Sequence, residues 1–145
     1  MRGVIVVGAL LLGAGCVPTG SAFGDCRDDL DCPAGSQCTR TRECVSGTLI
    51  DARITWTIGG AAVSPQNDAA CAGIDHLEVS FAEQGLGDIT YTPVPCNLGV
   101  IRYDKMPPRL DRVSMAAFDS RGALVDAESA PLSPGENLIT FDLSP

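Results

Sequence analysis

Apolar and polar residues alternate strictly in three stretches of the chain, at residues 54–58, 77–81 and 139–143. In each stretch every second side chain is large and apolar, and Trp56 and Phe141 are among them. A period of two is typical of strands with one buried face. Weaker alternation predicts four further strands: Asp88–Thr92, Gly99–Tyr103, Leu110–Asp119 and Ala123–Glu128. About seven short strands punctuated by glycine and proline predict an all-β fold, a small β-sandwich over residues 47–145.

One interruption of this pattern predicts a short helix over Pro65–Ala72. Ser64 is a favoured N-cap residue, a proline suits the first helical position, and Gly73 can adopt the left-handed conformation that ends a helix. This helix would carry Cys71. We expect Cys71 to pair with Cys96, because the bridge would close a long loop and stabilise the domain by about 3.5 kcal/mol in the chain-entropy model.

Residues 26–46 form a separate block without helical or strand alternation. Four of the seven cysteines recur there at an interval of six, at Cys26, Cys32, Cys38 and Cys44. Ordering one residue costs about 1.5 kcal/mol, whereas burying one leucine returns about 2–3 kcal/mol. A block with so few apolar residues cannot build a core, so we expect two disulfides to hold it. Four cysteines allow three connectivities, of which we favour Cys26–Cys38 with Cys32–Cys44.

Two kinds of metal site compete with this interpretation. Structural zinc sites use pairs of cysteines separated by two to four residues, and the five residues that separate the cysteines of this block do not match them. Asp25, Asp28, Asp29 and Asp31 suggest calcium, but they do not follow the EF-hand register. We therefore expect a solvated acidic loop, with no metal and no cofactor.

Two stretches resemble known families. The motif CRDDLDCPAGSQCTRTREC at residues 26–44 resembles the short Dickkopf-type or EB-type cysteine repeats, which implies a disulfide-bonded extracytoplasmic module without catalytic residues. Residues 99–125, GVIRYDKMPPRLDRVSMAAFDSRGALV, are similar to the carboxypeptidase-regulatory or transthyretin-like sandwich, or to an immunoglobulin-like sandwich. Such domains usually serve as scaffolds or adhesion modules.

The N-terminus has a different pattern. Arg2 precedes a run of apolar and small residues at 3–17, which is shorter than the roughly 20 residues that a membrane-spanning helix needs. This pattern is typical of a secretory signal peptide, here residues 1–15. The sequence Leu12-Gly13-Ala14-Gly15-Cys16 resembles the bacterial lipobox, which implies cleavage before Cys16 and acylation of its thiol and amine.

The lipobox resemblance also implies where the protein resides. Residues 16–25 would be a lipidated cysteine and its tether, and two or three acyl chains hold a protein on a membrane where one chain would not. Val17 after the cysteine implies delivery to the outer membrane. The alternative is an ordinary cleaved signal peptide.

Composition and motifs narrow the function. Ten Lys and Arg against 18 Asp and Glu give a net charge of −8, which argues against a nucleic-acid partner. No hydrolase, metalloprotease or P-loop motif occurs, and we interpret the single histidine, His76, as a surface residue. Trp56 and Tyr103 would suit a sugar-stacking platform, but Trp56 lies in the apolar register of its strand and so favours core packing.

We therefore expect a non-catalytic structural, interaction or adhesion module of the cell envelope, lipid-anchored at the outer membrane. Its partners would be the membrane and other envelope proteins or polysaccharide. The alternatives are a calcium-dependent adhesion module and an extracytoplasmic enzyme of unrecognised type.

Overall fold

A computed structural model describes residues 26–83 and 86–144. Strands dominate the described residues: β1 Ser36–Cys38, β2 Cys44–Ser46, β3 Ile50–Ile58, β4 Ala61–Ala62, β5 His76–Glu83, β6 Leu86–Val94, β7 Val100–Met106, β8 Arg112–Phe118, β9 Leu124–Pro131 and β10 Gly135–Leu143. The helical segments among them are short 3₁₀ turns, at Asp29–Asp31, Asp68–Cys71 and Cys96–Leu98. None of these turns is long and apolar enough to cross a membrane. The predicted all-β class is confirmed.

Two sheets form a sandwich. The first is centred on β3, which pairs with β10 along one edge and with β7 and the short β4 along the other. Strands β3 and β10 run parallel, from Ile50 opposite Gly135 to Ile58 opposite Leu143. The second sheet has the order β6-β5-β8-β9, and its neighbouring strands are all antiparallel.

The core follows the alternation in the sequence. In β3 the buried residues are every second one, Ile50, Ala52, Ile54, Trp56 and Ile58. The inward faces of β5, β8 and β10 are buried in the same way and join one hydrophobic cluster. The seven strands predicted from the sequence correspond to β3 and to β5 through β10, which confirms the sandwich.

The predicted helix over Pro65–Ala72 is wrong. Only Asp68–Cys71 is helical, as a single 3₁₀ turn, and Ser64 accepts a backbone hydrogen bond from Asn67 instead of capping a helix. An isolated helix of two turns is below the length at which helices persist. The segment bends into consecutive tight turns before it reaches β5.

Residues 26–46, here named the cystine module, also contain regular structure that the sequence did not predict. Strands β1 and β2 pair antiparallel with Cys38 opposite Cys44. The disulfides are Cys26–Cys38 and Cys32–Cys44. Cross-strand pairing of two three-residue strands leaves too few positions for an alternating pattern to be visible in the sequence. The predicted signal peptide at 1–15, Cys16 and the tether at 16–25 lie outside the described residues.

Candidate functional site

A β-bulge in the pair β3–β7 determines where the candidate site lies. Asp104 and Lys105 of β7 together oppose the single residue Asp51 of β3. Lys105 has a φ of 53°, in the left-handed region, and its backbone N–H donates to Asp51 Oδ1 at 3.0 Å. A bulge breaks strict alternation and redirects side chains. Asp104 and Lys105 accordingly both face the cystine module.

The cystine module is bound to this bulge by three contacts. The backbone N–H of Arg40 donates to the carbonyl oxygen of Lys105 at 2.8 Å, and Arg40 Nη1 donates to Asp104 Oδ1 at 2.7 Å. Lys105 Nζ donates to both carboxylate oxygens of Asp29, at 2.9 and 2.8 Å. The Lys105 ammonium, together with the N–H of Cys38, holds the pKa of the Asp29 carboxyl below its ordinary value.

A second connection comes from Arg109, in the proline-rich turn between β7 and β8. Its guanidinium donates to both carboxylate oxygens of Glu43 in the cystine module and, through Nε, to Glu83 at the end of β5. The hydrogen bonds to Glu43, followed by the one to Glu83, raise the pKa of Arg109 above its ordinary value. Bidentate pairing of this kind fixes orientation as well as adding energy, so the module is held in one orientation on the sandwich.

Between the cystine module and the bulge lies a groove of about 300 Å³, here named the junction groove. Four of the ten Lys and Arg residues of the chain line it, together with two carboxylates. The cations are Arg27, Arg40, Arg42 and Lys105, and the carboxylates are Asp28 and Asp104. The lining of the groove therefore carries two more cations than carboxylates, in a protein whose net charge is −8.

Two of these cations have an uncommon backbone conformation. Arg42 has a φ of 64°, and Lys105 has a φ of 53°. Residues other than glycine seldom adopt this region, and such residues concentrate at functional sites. Both side chains line the junction groove, which makes the groove the strongest candidate site in the described residues.

Two aromatic rings lie against the guanidinium of Arg40. Its guanidinium carbon lies 5.8 Å from the ring centroid of Tyr91 and 5.5 Å from that of Tyr103, within the range of a cation–π contact. Tyr103 is buried, and its hydroxyl has no hydrogen-bond partner among the described residues. Burial raises the pKa of Tyr103 to about 12, with a further contribution from Tyr91 that Arg40 opposes.

The six predicted cysteines from Cys26 onward lie in two places, the cystine module and the turns before β5 and β7. The cystine module contains four of the cysteines, and Cys71–Cys96 forms the third disulfide, which links the turn before β5 to the turn before β7. The sulfurs of Cys26, Cys32 and Cys38 lie close together, but each belongs to a disulfide and has no thiolate to offer a metal.

The acidic residues of the cystine module form hydrogen bonds within the protein. Asp28 Oδ1 accepts from the N–H of Leu30 at 2.8 Å, and Asp31 Oδ2 accepts from that of Arg27 at 2.7 Å. Asp29 binds Lys105. These contacts give each of the three carboxylates a structural role in holding the first loop of the module.

The aromatic platform considered from the sequence does not exist. Trp56 and Tyr103 are each 2% exposed, and the Trp56 indole N–H donates to the carbonyl oxygen of Cys96 at 2.8 Å. Both rings belong to the core, so neither face is open to a sugar. His76 stacks on Phe118 and is hydrogen-bonded through Nδ1 to Asp75 Oδ2 at 2.9 Å.

The junction groove was missed from the sequence. Its one local signal is that Arg27, Arg40 and Arg42 stand between the cysteines of a block with little else to bury. No family model, curated protein or solved structure matches the chain.

Proposed function

We propose that the protein is a lipid-anchored, extracytoplasmic protein of the cell envelope that acts as a non-catalytic interaction module. The observation that carries the proposal is the pairing of all six cysteines from Cys26 onward in three disulfides. Disulfides persist in oxidising compartments outside the cytoplasm. The apolar run ending at Cys16 supplies the export and anchoring signal that such a location requires.

The chemistry of the described side chains favours binding over catalysis. Six sulfurs are held in disulfides, and the thiolate is the reactive form of cysteine. His76 is hydrogen-bonded to Asp75 through Nδ1 and stacks on Phe118, and among the described residues no hydroxyl nucleophile is hydrogen-bonded to its other ring nitrogen. The arginines and the lysine of the junction groove converge in a concave place, and such groups suit the recognition of an anion.

The strand order bears on which sandwich family is proposed. Constant-type immunoglobulin domains place their first, second, fourth and fifth strands in one sheet. Here β3, the first main strand of the sandwich, shares a sheet with β7 and β10, and β5 lies in the other sheet with β6, β8 and β9. Of the resemblances seen in the sequence, we therefore keep the carboxypeptidase-regulatory or transthyretin-like sandwich as the proposal.

We also propose that residues 26–46 and 47–145 are two modules that act as one unit. Contacts of Arg40 and Lys105 at the bulge, and of Arg109 in the turn after β7, join them. A rigid pair of this kind suits a module that presents one surface to a membrane or to an envelope protein or polysaccharide.

Labelling of growing cells with a radioactive fatty acid tests the anchor. The full-length chain should be labelled and recovered in the outer-membrane fraction, and Cys16→Ser should lose the label. The matched control is Ser21→Ala in the tether, which should be labelled like the wild type. A label on the Cys16→Ser variant, or none on the wild type, would refute the anchored function.

A further inference from the structure

We infer that the junction groove binds the phosphate of an anionic phospholipid headgroup and so seats the protein against the membrane. The inference rests on the anchored function proposed above, and adds to it a ligand and the surface that takes it. A phosphodiester is recognised by guanidinium groups, which offer a planar fork of N–H donors.

The donors of the groove are available. Among the described residues, the side chains of Arg27 and Arg42 donate to no acceptor, and Arg40 uses one N–H, toward Asp104. A guanidinium carries five N–H groups, so most of the donors of Arg40 are unused, while its guanidinium carbon lies 5.8 and 5.5 Å from the ring centroids of Tyr91 and Tyr103. Lys105 is committed to Asp29 and serves to position the groove wall.

The place of the groove in the chain favours a membrane ligand. Cys26, the residue that follows the tether, lines the groove itself. The nine residues between Cys16 and Cys26 reach at most about 30 Å when fully extended, which is comparable to the width of a domain of this size. An anchor at Cys16 would therefore leave the groove within reach of the headgroups.

Electrostatics favours an orientation of the protein in which the junction groove faces the membrane. A protein with a net charge of −8 is repelled by an anionic surface, except where cations are concentrated within a Debye length, about 10 Å at 0.1 M salt. In the junction groove Arg27, Arg40 and Arg42 stand against Asp28 and Asp104, while the charge of Lys105 is paired with Asp29. Facing this groove toward the membrane brings the guanidinium groups of Arg27, Arg40 and Arg42 to the headgroup phosphates and so lowers the repulsion there.

Nuclear magnetic resonance of the full chain in the uncharged detergent dodecyl maltoside tests the inference without requiring acylation. Dioctanoyl phosphatidylglycerol should shift the side-chain Nε signals of Arg27, Arg40 and Arg42, and added salt should weaken the binding. Dioctanoyl phosphatidylcholine has the same phosphodiester but also a quaternary ammonium, which the arginines repel, so it should bind at least about tenfold more weakly. Equal binding of the two lipids, or shifts located elsewhere on the protein, would overturn the inference. Inorganic phosphate that binds as tightly as phosphatidylglycerol would also overturn it, because the site would then take free phosphate.

A double variant locates the binding. Arg27→Gln with Arg42→Asn removes two positive charges, and asparagine tolerates the positive φ of position 42. This double variant should weaken phosphatidylglycerol binding about tenfold or more. The control is Arg53→Gln with Arg102→Gln, an exposed cross-strand pair that removes the same charge from β3 and β7, and it should bind like the wild type. Equal losses in both variants would refute the site. Fatty-acid labelling tests the anchor separately. A labelled protein that binds no phosphatidylglycerol would therefore refute the lipid-binding groove and leave the proposed anchor standing.

Discussion

Arg109 and Glu43 are 66 residues apart in the sequence, and Arg109 Nη2 donates to Glu43 Oε1 at 2.9 Å. Arg109 lies in the turn after β7, and Glu43 lies beside a cysteine of the cystine module. The same guanidinium also binds Glu83. Arg109 therefore joins three parts of the chain that are distant in sequence, and it does so through partly buried side chains.

Substitution of Arg109 by glutamine should loosen the cystine module from the sandwich. The change leaves Glu43 and Glu83 facing each other without their cation, so we expect the free energy of unfolding to fall by about 1–2 kcal/mol. Urea denaturation followed by circular dichroism measures this. Arg121→Gln is the control, because the Arg121 side chain is 86% exposed and exposed pairs contribute about 0–1 kcal/mol. Equal losses in the two variants would show that Arg109 is a surface residue without a special role.

The disulfide of the sandwich and the disulfides of the cystine module should stabilise different parts of the structure. Replacing Cys71 and Cys96 with serine should lower the free energy of unfolding of the sandwich by about 3.5 kcal/mol on the chain-entropy model. Replacing Cys32 and Cys44 should instead abolish the structure of the cystine module, since residues 26–46 contribute almost nothing to the hydrophobic cluster. Amide exchange resolved by residue separates the two effects. If the loss of Cys32–Cys44 unfolded β5 and β8 as well, the two parts would share one cooperative transition.

How much of this fold the sequence predicted depends on how local each feature is. The seven sandwich strands were visible because side chains of alternating character report burial within a single strand. The bulge at Lys105 was not visible, because it depends on which residue of β3 stands opposite. The junction groove was hidden for the same reason: Arg40 and Lys105 meet only after disulfides fold the cystine module and ion pairs dock it.

Gly99 should be one of the least replaceable glycines of the sandwich. It has a φ of 69°, and an added Cβ would lie 2.1 Å from the carbonyl oxygen of Val63. We expect Gly99→Ala to lower the free energy of unfolding by at least about 3 kcal/mol, from backbone strain and from displacement of the chain at Val63. Gly122→Ala is the matched control, because Gly122 has a φ of 75° and open space around it. It should cost about 1–2 kcal/mol. Similar melting temperatures for the two variants would mean that the contact with Val63 relaxes freely.

Replacing Tyr103 with phenylalanine should stabilise the protein, whereas most core substitutions destabilise one. Its hydroxyl is buried without a partner among the described residues, so Tyr103→Phe removes a desolvated polar group and should raise the free energy of unfolding by about 1 kcal/mol. Tyr91→Phe is the control, because the Tyr91 hydroxyl donates to Met106 Sδ at 3.8 Å, and it should give no gain. Thermal and urea unfolding at pH 7 measure both variants.

The pH dependence of stability gives a second test of Tyr103. Its pKa is raised to about 12 in the folded protein, above the ordinary value near 10 of the unfolded chain. The unfolded state therefore releases this proton first as the pH rises. Titration of Tyr103 leaves the free energy of unfolding unchanged below about pH 10 and lowers it between about pH 10 and 12, because ionisation then favours the unfolded state. The free energy of unfolding should fall more steeply across this range in the wild type than in Tyr103→Phe. If the free energy of unfolding depended on pH in the same way in both proteins, the raised pKa would be contradicted. Ultraviolet absorbance of tyrosinate would show whether Tyr103 ionises before the protein unfolds.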